Sequence, residues 1–141
     1  KSQAARDAII NEPAVQAALD LARKSDIAFL GLGDAGSNST MVRTGYLSPD
    51  DLADLRAQGA VGDLLIHYFD IHGRRIPHAI DQRIIGLNWD ELRQIPRLVI
   101  VAAGPLKIPP ILGVLRSGLC GTLITDTNTA QAVINAANTN S

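Results

Sequence analysis

The chain has 141 residues, of which 46% are hydrophobic and 19% are charged, and its formal net charge at pH 7 is -1. This length suits a single domain with a sizeable core, and the apolar content excludes intrinsic disorder. The lack of a basic excess argues against DNA binding by this chain itself. No apolar run is long enough to span a membrane and the first residues lack a signal-peptide core, so we expect a soluble, cytoplasmic protein.

Helices and strands are predicted to alternate along the chain. Helical spacing and capping signals, such as Ser48 with Asp51 three residues later, predict helices over residues 13–24, 48–58, 88–95 and 109–117, and a last one that begins at Asp126 or Thr127. Short apolar runs predict strands over residues 27–32, 97–103 and 122–125. Residues 59–76, GAVGDLLIHYFDIHGRRI, predict a β-hairpin that turns near His72 and Gly73.

The predicted strands other than the hairpin are apolar throughout rather than alternating, which is typical of a parallel sheet with both faces covered. We therefore expect an α/β fold with a mostly parallel, doubly wound sheet and a β-hairpin insertion. The opening residues, KSQAARD, carry no predicted strand, so early strands of such a sheet are expected to be missing from this chain.

Three loops follow predicted strands and should meet at the carboxyl edge of the sheet, where ligands of such folds bind. They cover residues 31–40, 103–110 and 125–129. The first contains G-x-G-x-x-G, but the helix and acid-terminated strand of a dinucleotide site do not follow it. This loop is either a glycine-rich turn or a ligand-facing loop, in which Gly33 and Asp34 are the candidate binding residues.

Asp63 opens an apolar stretch, where an unpaired carboxylate would be costly. Two interpretations stay open: a hydrogen bond to a neighbouring backbone turn, or an acceptor for ligand hydroxyl groups, with Gly62 allowing close approach of the backbone. Lys107 follows the most strand-like segment after a turn at Gly104, so its ammonium can face an anion at the sheet edge. A surface ion pair is the commoner fate of a lysine.

Other chemistry finds little support in the sequence. Arg43 could reach an anion, although solvation is the more ordinary role of such an arginine. His67, His72 and His78 lie in or beside the hairpin with no metal-binding spacing around them, and we interpret them as hairpin surface. No nucleophile elbow is present, and we expect neither a cofactor nor a metal.

Three short motifs follow one another along the chain: G-A-x-G-D at residues 59–63, x-R-x-I-G at residues 82–86 and V-A-x-G-x-x-K at residues 101–107. Together they resemble the C-terminal effector-binding domain of SorC-type bacterial transcriptional regulators, over about residues 12–133. The resemblance implies an isomerase/CoA-transferase-like fold of the NagB/RpiA type. It also implies a sugar or sugar-phosphate effector, a helix-turn-helix that reaches operator DNA from a missing N-terminal segment, and a dimer or tetramer.

In that family the acid of the first element binds the sugar and the lysine of the third meets phosphate, which corresponds to Asp63 and Lys107 here. Arg43 lies where some members have an anion-binding arginine. Two departures stand out: the usual second glycine is Pro105, and Pro109-Pro110 replaces a helix-forming stretch. Family domains are longer, so residues 1–141 are expected to be the C-terminal part of an effector domain.

Two other functions compete with a sensor. A sugar-phosphate isomerase or deaminase on the same fold would need a general base, a role that Asp63 could fill, but the sequence places no second carboxylate or histidine beside it. The third hypothesis is an oligomerisation domain whose ligand site has decayed.

Overall fold

The computed structural model describes residues 2–36 and 39–139 and shows a mixed α/β architecture. Its helices are α1 (Gln3–Ile10), α2 (Pro13–Arg23), α3 (Thr40–Arg43), α4 (Pro49–Ala57), α5 (Trp89–Gln94), α6 (Ile108–Arg116) and α7 (Thr127–Thr139). Its strands are β1 (Ile27–Gly31), β2 (Gly33–Asp34), β3 (Ala60–Leu64), β4 (His67–Asp70), β5 (Arg97–Val101) and β6 (Thr122–Ile124). Two 3₁₀ turns cover Ala79–Arg83 and Pro105–Lys107.

The parallel sheet has the order β1-β5-β6, with Ile27 opposite Arg97 and Val101 opposite Ile124. One of its faces packs into the main hydrophobic core. That core joins alternate residues of the sheet to side chains from α2, α5, α6 and α7, among them Leu19, Trp89, Leu98, Ile100, Ile111 and Val133. Apolar burial of this kind is the main source of stability of the domain.

The other face of the parallel sheet is partly exposed. Phe29 is 68% exposed and Ile124 is 48% exposed, and Ile27 and Val101 also face outward. The α/β fold with a parallel sheet is confirmed, but the expected cover on both faces is only partly present in the described residues, since Val99 at the centre of this face is 5% exposed while the residues around it are not buried. The sequence predicted cover on both faces because outward residues such as Ile27, Phe29 and Val101 are apolar.

A second, antiparallel sheet has the order β2-β3-β4. The predicted hairpin exists, but its tight turn lies at Leu65 and Ile66, with φ of 50° and 70°, rather than near His72 and Gly73. A further turn does occur at Gly73 (φ 79°), and it returns the chain as a single bridge between Phe69 and Arg75. The hairpin of β3 and β4 is thus one part of a three-stranded sheet, whose first strand, β2, begins two residues after the end of β1.

The helix signals of the sequence are confirmed at α4 and α5. Ser48 and Asp51 form a capping box at α4, and Asn88 and Glu91 form one at α5. Helix α1 was not predicted, since its short stretch carries only weak signals. The predicted apolar face of α7 is only partly buried, because Ile134 is 54% exposed. Within the described ranges, no helix has the length and apolar character needed to cross a membrane.

Candidate functional site

A cavity of about 200 Å³ lies beside the carboxyl end of β1. Residues from four segments line it: the chain leaving β1, the start of α3, strand β3 and the 3₁₀ turn before α6. Asp63 and Lys107, which are far apart in sequence, both reach this cavity, together with Leu32, Gly33, Asp34, Ser39, Thr40 and Met41. The predicted acid, from the antiparallel sheet, and the predicted cation, from the carboxyl edge of the parallel sheet, therefore meet at one site.

Asp63 is buried, with 7% of its surface exposed. Its Oδ2 accepts a hydrogen bond of 2.9 Å from the Ile66 N–H, so the carboxylate holds the hairpin turn whose residues have positive φ. Gly33 pairs with Asp63 across β2 and β3, and a Cβ on Gly33 would overlap Oδ1 and lie 2.6 Å from Cγ of Asp63. The turn-bonding interpretation of Asp63 is thus observed, and the same side chain also lines the cavity.

Lys107 does not face the cavity as an unpaired cation. Its Nζ donates to Asp34 Oδ2 at 3.0 Å, and both side chains are about one-quarter exposed, at 25% and 23%. Asp34 Oδ1 accepts a second hydrogen bond from the Gly36 N–H at 3.0 Å. The anion at the mouth of β5 is therefore a carboxylate of the protein itself, so the ion-pair alternative for Lys107 is observed, with Asp34 as the partner.

The two carboxylates of the cavity have opposite electrostatic environments. Burial raises the pKa of Asp63, and the hydrogen bond from Ile66 and the charge of Lys107 offset this only partly. Burial also opposes ionisation of Asp34, but the hydrogen bonds from Lys107 and Gly36 outweigh it and lower the pKa of Asp34. Asp34 is accordingly the ionised partner of Lys107 at neutral pH, while Asp63 is shifted towards its neutral form.

Ser39 is a residue of the cavity that the sequence did not single out. It is only 5% exposed, and its buried hydroxyl has no hydrogen-bond partner in the described part of the chain. A buried hydroxyl without a partner costs free energy, so it marks a place where a ligand group or water would be favourable. The only sequence signal was the polar character of its loop, in which Ser37 and Asn38 lie outside the described residues.

Three predicted site residues do not line this cavity: Arg43, Gly62 and Gly104. Arg43 is exposed at the end of α3, and the cavity lining does not include it. Gly62 is buried beneath Pro110, because a Cβ there would lie 2.7 Å from Pro110 Cβ and 2.6 Å from the Gly33 carbonyl oxygen. The close approach that this glycine permits is thus made by the protein's own chain.

Gly104 lines a second cavity of about 410 Å³, on the other side of the Pro105–Lys107 turn. Its φ of 105° is left-handed, and its N–H donates to Thr129 Oγ1 at 2.8 Å. Asp126 and Asn128 at the start of α7 complete the polar part of the lining. The three predicted loops therefore do meet at one sheet edge, but they form two cavities rather than one.

Comparison with known proteins identifies the family. Residues 1–135 match the "Sugar-bind" family, described as "Putative sugar-binding domain". This chain belongs to that family. The Deoxyribonucleoside regulator of Bacillus subtilis is 31% identical over 121 residues, which are 86% of this chain and 38% of that protein. A domain of a transcriptional repressor from Vibrio fischeri is 33% identical with a TM-score of 0.85, over 96% of this chain and 55% of the other.

The likeness to a SorC regulator extends to the fold of this sugar-binding domain. The full-length sorbitol operon regulator SorC from Klebsiella pneumoniae aligns with a TM-score of 0.86 over 95% of this chain and 44% of the other. At 23% identity, that structure supports the fold alone. The sugar-binding domain spans less than half of the curated relative from Bacillus subtilis, so the activity of a whole regulator does not follow from these matches alone.

The interpretation of the histidines as hairpin surface is confirmed for His72 but wrong for His67 and His78. His67 is 3% exposed and its Nε2 lies 2.9 Å from the Leu87 carbonyl oxygen, and His78 Nε2 lies 3.2 Å from Asp54 Oδ2. Only His72 is exposed. Among the described residues, no group of three or more histidine, cysteine, aspartate or glutamate side chains is arranged to hold a metal ion.

Proposed function

We propose that this chain is the effector-sensing part of a bacterial transcriptional regulator and that it binds a sugar or sugar phosphate in the cavity of Asp63 and Lys107. One observation carries the proposal: the acid and the lysine that the family resemblance singles out line the same cavity. Ser39 adds a buried hydroxyl that lacks a partner there. Carboxylate acceptors beside an ammonium and a hydroxyl suit a ligand with several hydroxyl groups.

A sensor needs no chemical step, only a ligand that binds one arrangement of the protein better than another. We propose that the bound sugar changes how subunits of a homo-oligomer pack in the cytoplasm. DNA-binding segments elsewhere in the full-length protein would then change their spacing on the operator. The cavity does contain a second carboxylate, Asp34, which an isomerase could use, but its ion pair with Lys107 and the regulators among the relatives favour the sensor.

We expect Asp63→Asn and Lys107→Met each to weaken sugar binding by about 10- to 100-fold, because the first replaces a carboxyl group and the second removes the ammonium group that would bond to the ligand. Asparagine keeps an oxygen that can accept the Ile66 N–H, so the hairpin turn should survive the first change. The measurement is isothermal titration calorimetry of the full-length natural protein with free sugars, polyols and their phosphate esters.

Asp26→Asn is the matched control, since Asp26 is an exposed carboxylate before the amino end of β1, at the opposite edge of the sheet. Its affinity should equal that of the wild type. Equal affinity of all four proteins for a sugar that binds would remove Asp63 and Lys107 from the site, and a lack of binding by any sugar would overturn the sensor function.

A further inference from the structure

The cavity of Asp63 and Lys107 has more acidic than basic groups. Two carboxylates and one ammonium line it, and the ammonium is already paired with Asp34 at 3.0 Å. Lys107 is the only cation among the described residues that line this cavity or the neighbouring one. From the described residues, a ligand that enters therefore meets no positive charge that lacks a protein partner.

A phosphate group is a poor fit to this charge distribution. To contact Lys107 it would have to displace Asp34 or share the ammonium with it, and each of its negative charges would lie near an ionised carboxylate in a partly buried site. Like charges at such distances repel strongly where water is scarce. As long as Asp34 keeps its bond to Lys107, the pKa of Asp34 is lowered and its carboxylate stays ionised.

The neighbouring cavity offers no replacement. The N-terminus of α7 would be a natural anion site, but the Asp126 carboxylate already occupies it. Asp126 Oδ1 accepts the Thr129 N–H at 2.8 Å, and its Oδ2 accepts the Thr129 hydroxyl at 2.6 Å. The Gly104 N–H is also taken, by Thr129 Oγ1. The Gly104 N–H, the Thr129 N–H and the Thr129 hydroxyl are thus all bonded within the protein.

A neutral polyhydroxylated ligand meets the opposite situation. Its hydroxyl groups can donate to Asp63 and to Asp34, which accept without any change of charge. Lys107 has two further ammonium protons besides the one it gives to Asp34, and these can reach ligand oxygens. The buried hydroxyl of Ser39, which has no partner in the described chain, would gain one. Each polar group of the cavity then finds a partner.

We propose that the ligand of this cavity is an uncharged sugar or polyol, and that Asp34 is the specificity-determining residue that disfavours its phosphate ester by holding Lys107. This inference rests on the proposed function, because it names the ligand class of the same site. It predicts that removal of the Asp34 charge frees Lys107 to bind phosphate without abolishing the binding of hydroxyl groups.

The test is calorimetry of the full-length natural protein with three pairs of probes: D-ribose, erythritol and D-glucitol, each beside its terminal phosphate monoester, and inorganic phosphate alone. For the pair that binds, the wild type should prefer the free form by at least about tenfold, and Asp34→Asn should reduce that preference by about tenfold or reverse it. Asp34→Asn should also gain measurable affinity for inorganic phosphate. Asp26→Asn should leave the ratio unchanged, which separates a local effect from a change in overall charge.

Circular dichroism and thermal unfolding establish that each variant is folded, and the ratio of the two affinities is a readout that a purely structural role of Asp34 would not move. A wild type that binds the ester as tightly as the free form would overturn the inference and leave the sensor function standing. The same holds for a ratio that Asp34→Asn does not change. If no probe binds the wild type, the inference and the proposed function fail together.

Discussion

Gly73→Ala is expected to lower the free energy of unfolding by about 3 kcal/mol, from backbone strain and steric overlap together. Gly73 is buried in the turn after β4, and its φ of 79° lies in the left-handed region. An added Cβ would overlap the Ser117 backbone nitrogen and lie 2.6 Å from the Arg116 carbonyl carbon at the end of α6. Backbone atoms cannot rotate away, so α6 or the turn would have to move. Urea unfolding at neutral pH measures the change.

Gly59→Ala supplies the matched control for that measurement. Gly59 has a similar φ of 91°, but a Cβ there would have no atom within 4 Å. In this variant the free energy of unfolding should fall by only about 1 kcal/mol, because alanine is strained in a left-handed backbone conformation. Equal losses in the two variants would show that the turn does not pack closely against the end of α6.

Gly33→Ala is expected to weaken sugar binding by about 100-fold and to lower stability by about 1–3 kcal/mol. The added methyl group would occupy the place of the Asp63 carboxylate, which cannot leave without breaking its bond to Ile66 N–H. Strand β2 would otherwise have to separate from β3, which would open the cavity. Calorimetry with the ligand and urea unfolding report the two effects separately.

Gly31→Ala is the control for the binding measurement, because Gly31 lies two residues earlier on the same segment and a Cβ there would meet no atom within 4 Å. It should bind the ligand as the wild type does. Retention of full affinity by Gly33→Ala would mean that the position of the Asp63 carboxylate does not matter for the ligand.

Elements with local signals could be predicted from the sequence. The capping boxes at α4 and α5 and the apolar core strands depend on residues close together in the chain, and the structure has them where expected. The hairpin turn was misplaced because Leu65 and Ile66 adopt left-handed backbone without the glycine or asparagine that normally marks such a turn. The turn was predicted near Gly73 instead, because glycine is common in such turns.

The candidate site was predictable to the level of the sheet edge. Lys107 and Asp34 lie near each other because loops after parallel strands converge, a rule that requires only the order of the elements. Asp63 reaches the same cavity from β3, because β3 pairs antiparallel with β2 just after the chain leaves β1. The ion pair of Lys107 with Asp34 and the buried hydroxyl of Ser39 depend on where side chains reach across a folded loop. The close packing of Gly62 also depends on contacts between segments that are far apart in sequence, since its neighbour Pro110 belongs to α6.

The sugar is proposed to lie in the cavity between Asp63 and Lys107. A crystal structure of the full-length natural protein with the bound ligand tests this most directly. We predict ligand hydroxyl groups within hydrogen-bonding distance of the Asp63 carboxylate, the Ser39 hydroxyl and the Lys107 ammonium. A ligand bound instead in the cavity of Gly104 and Asn128, or elsewhere with no contact to Asp63, would show that the sugar does not bind in the proposed cavity.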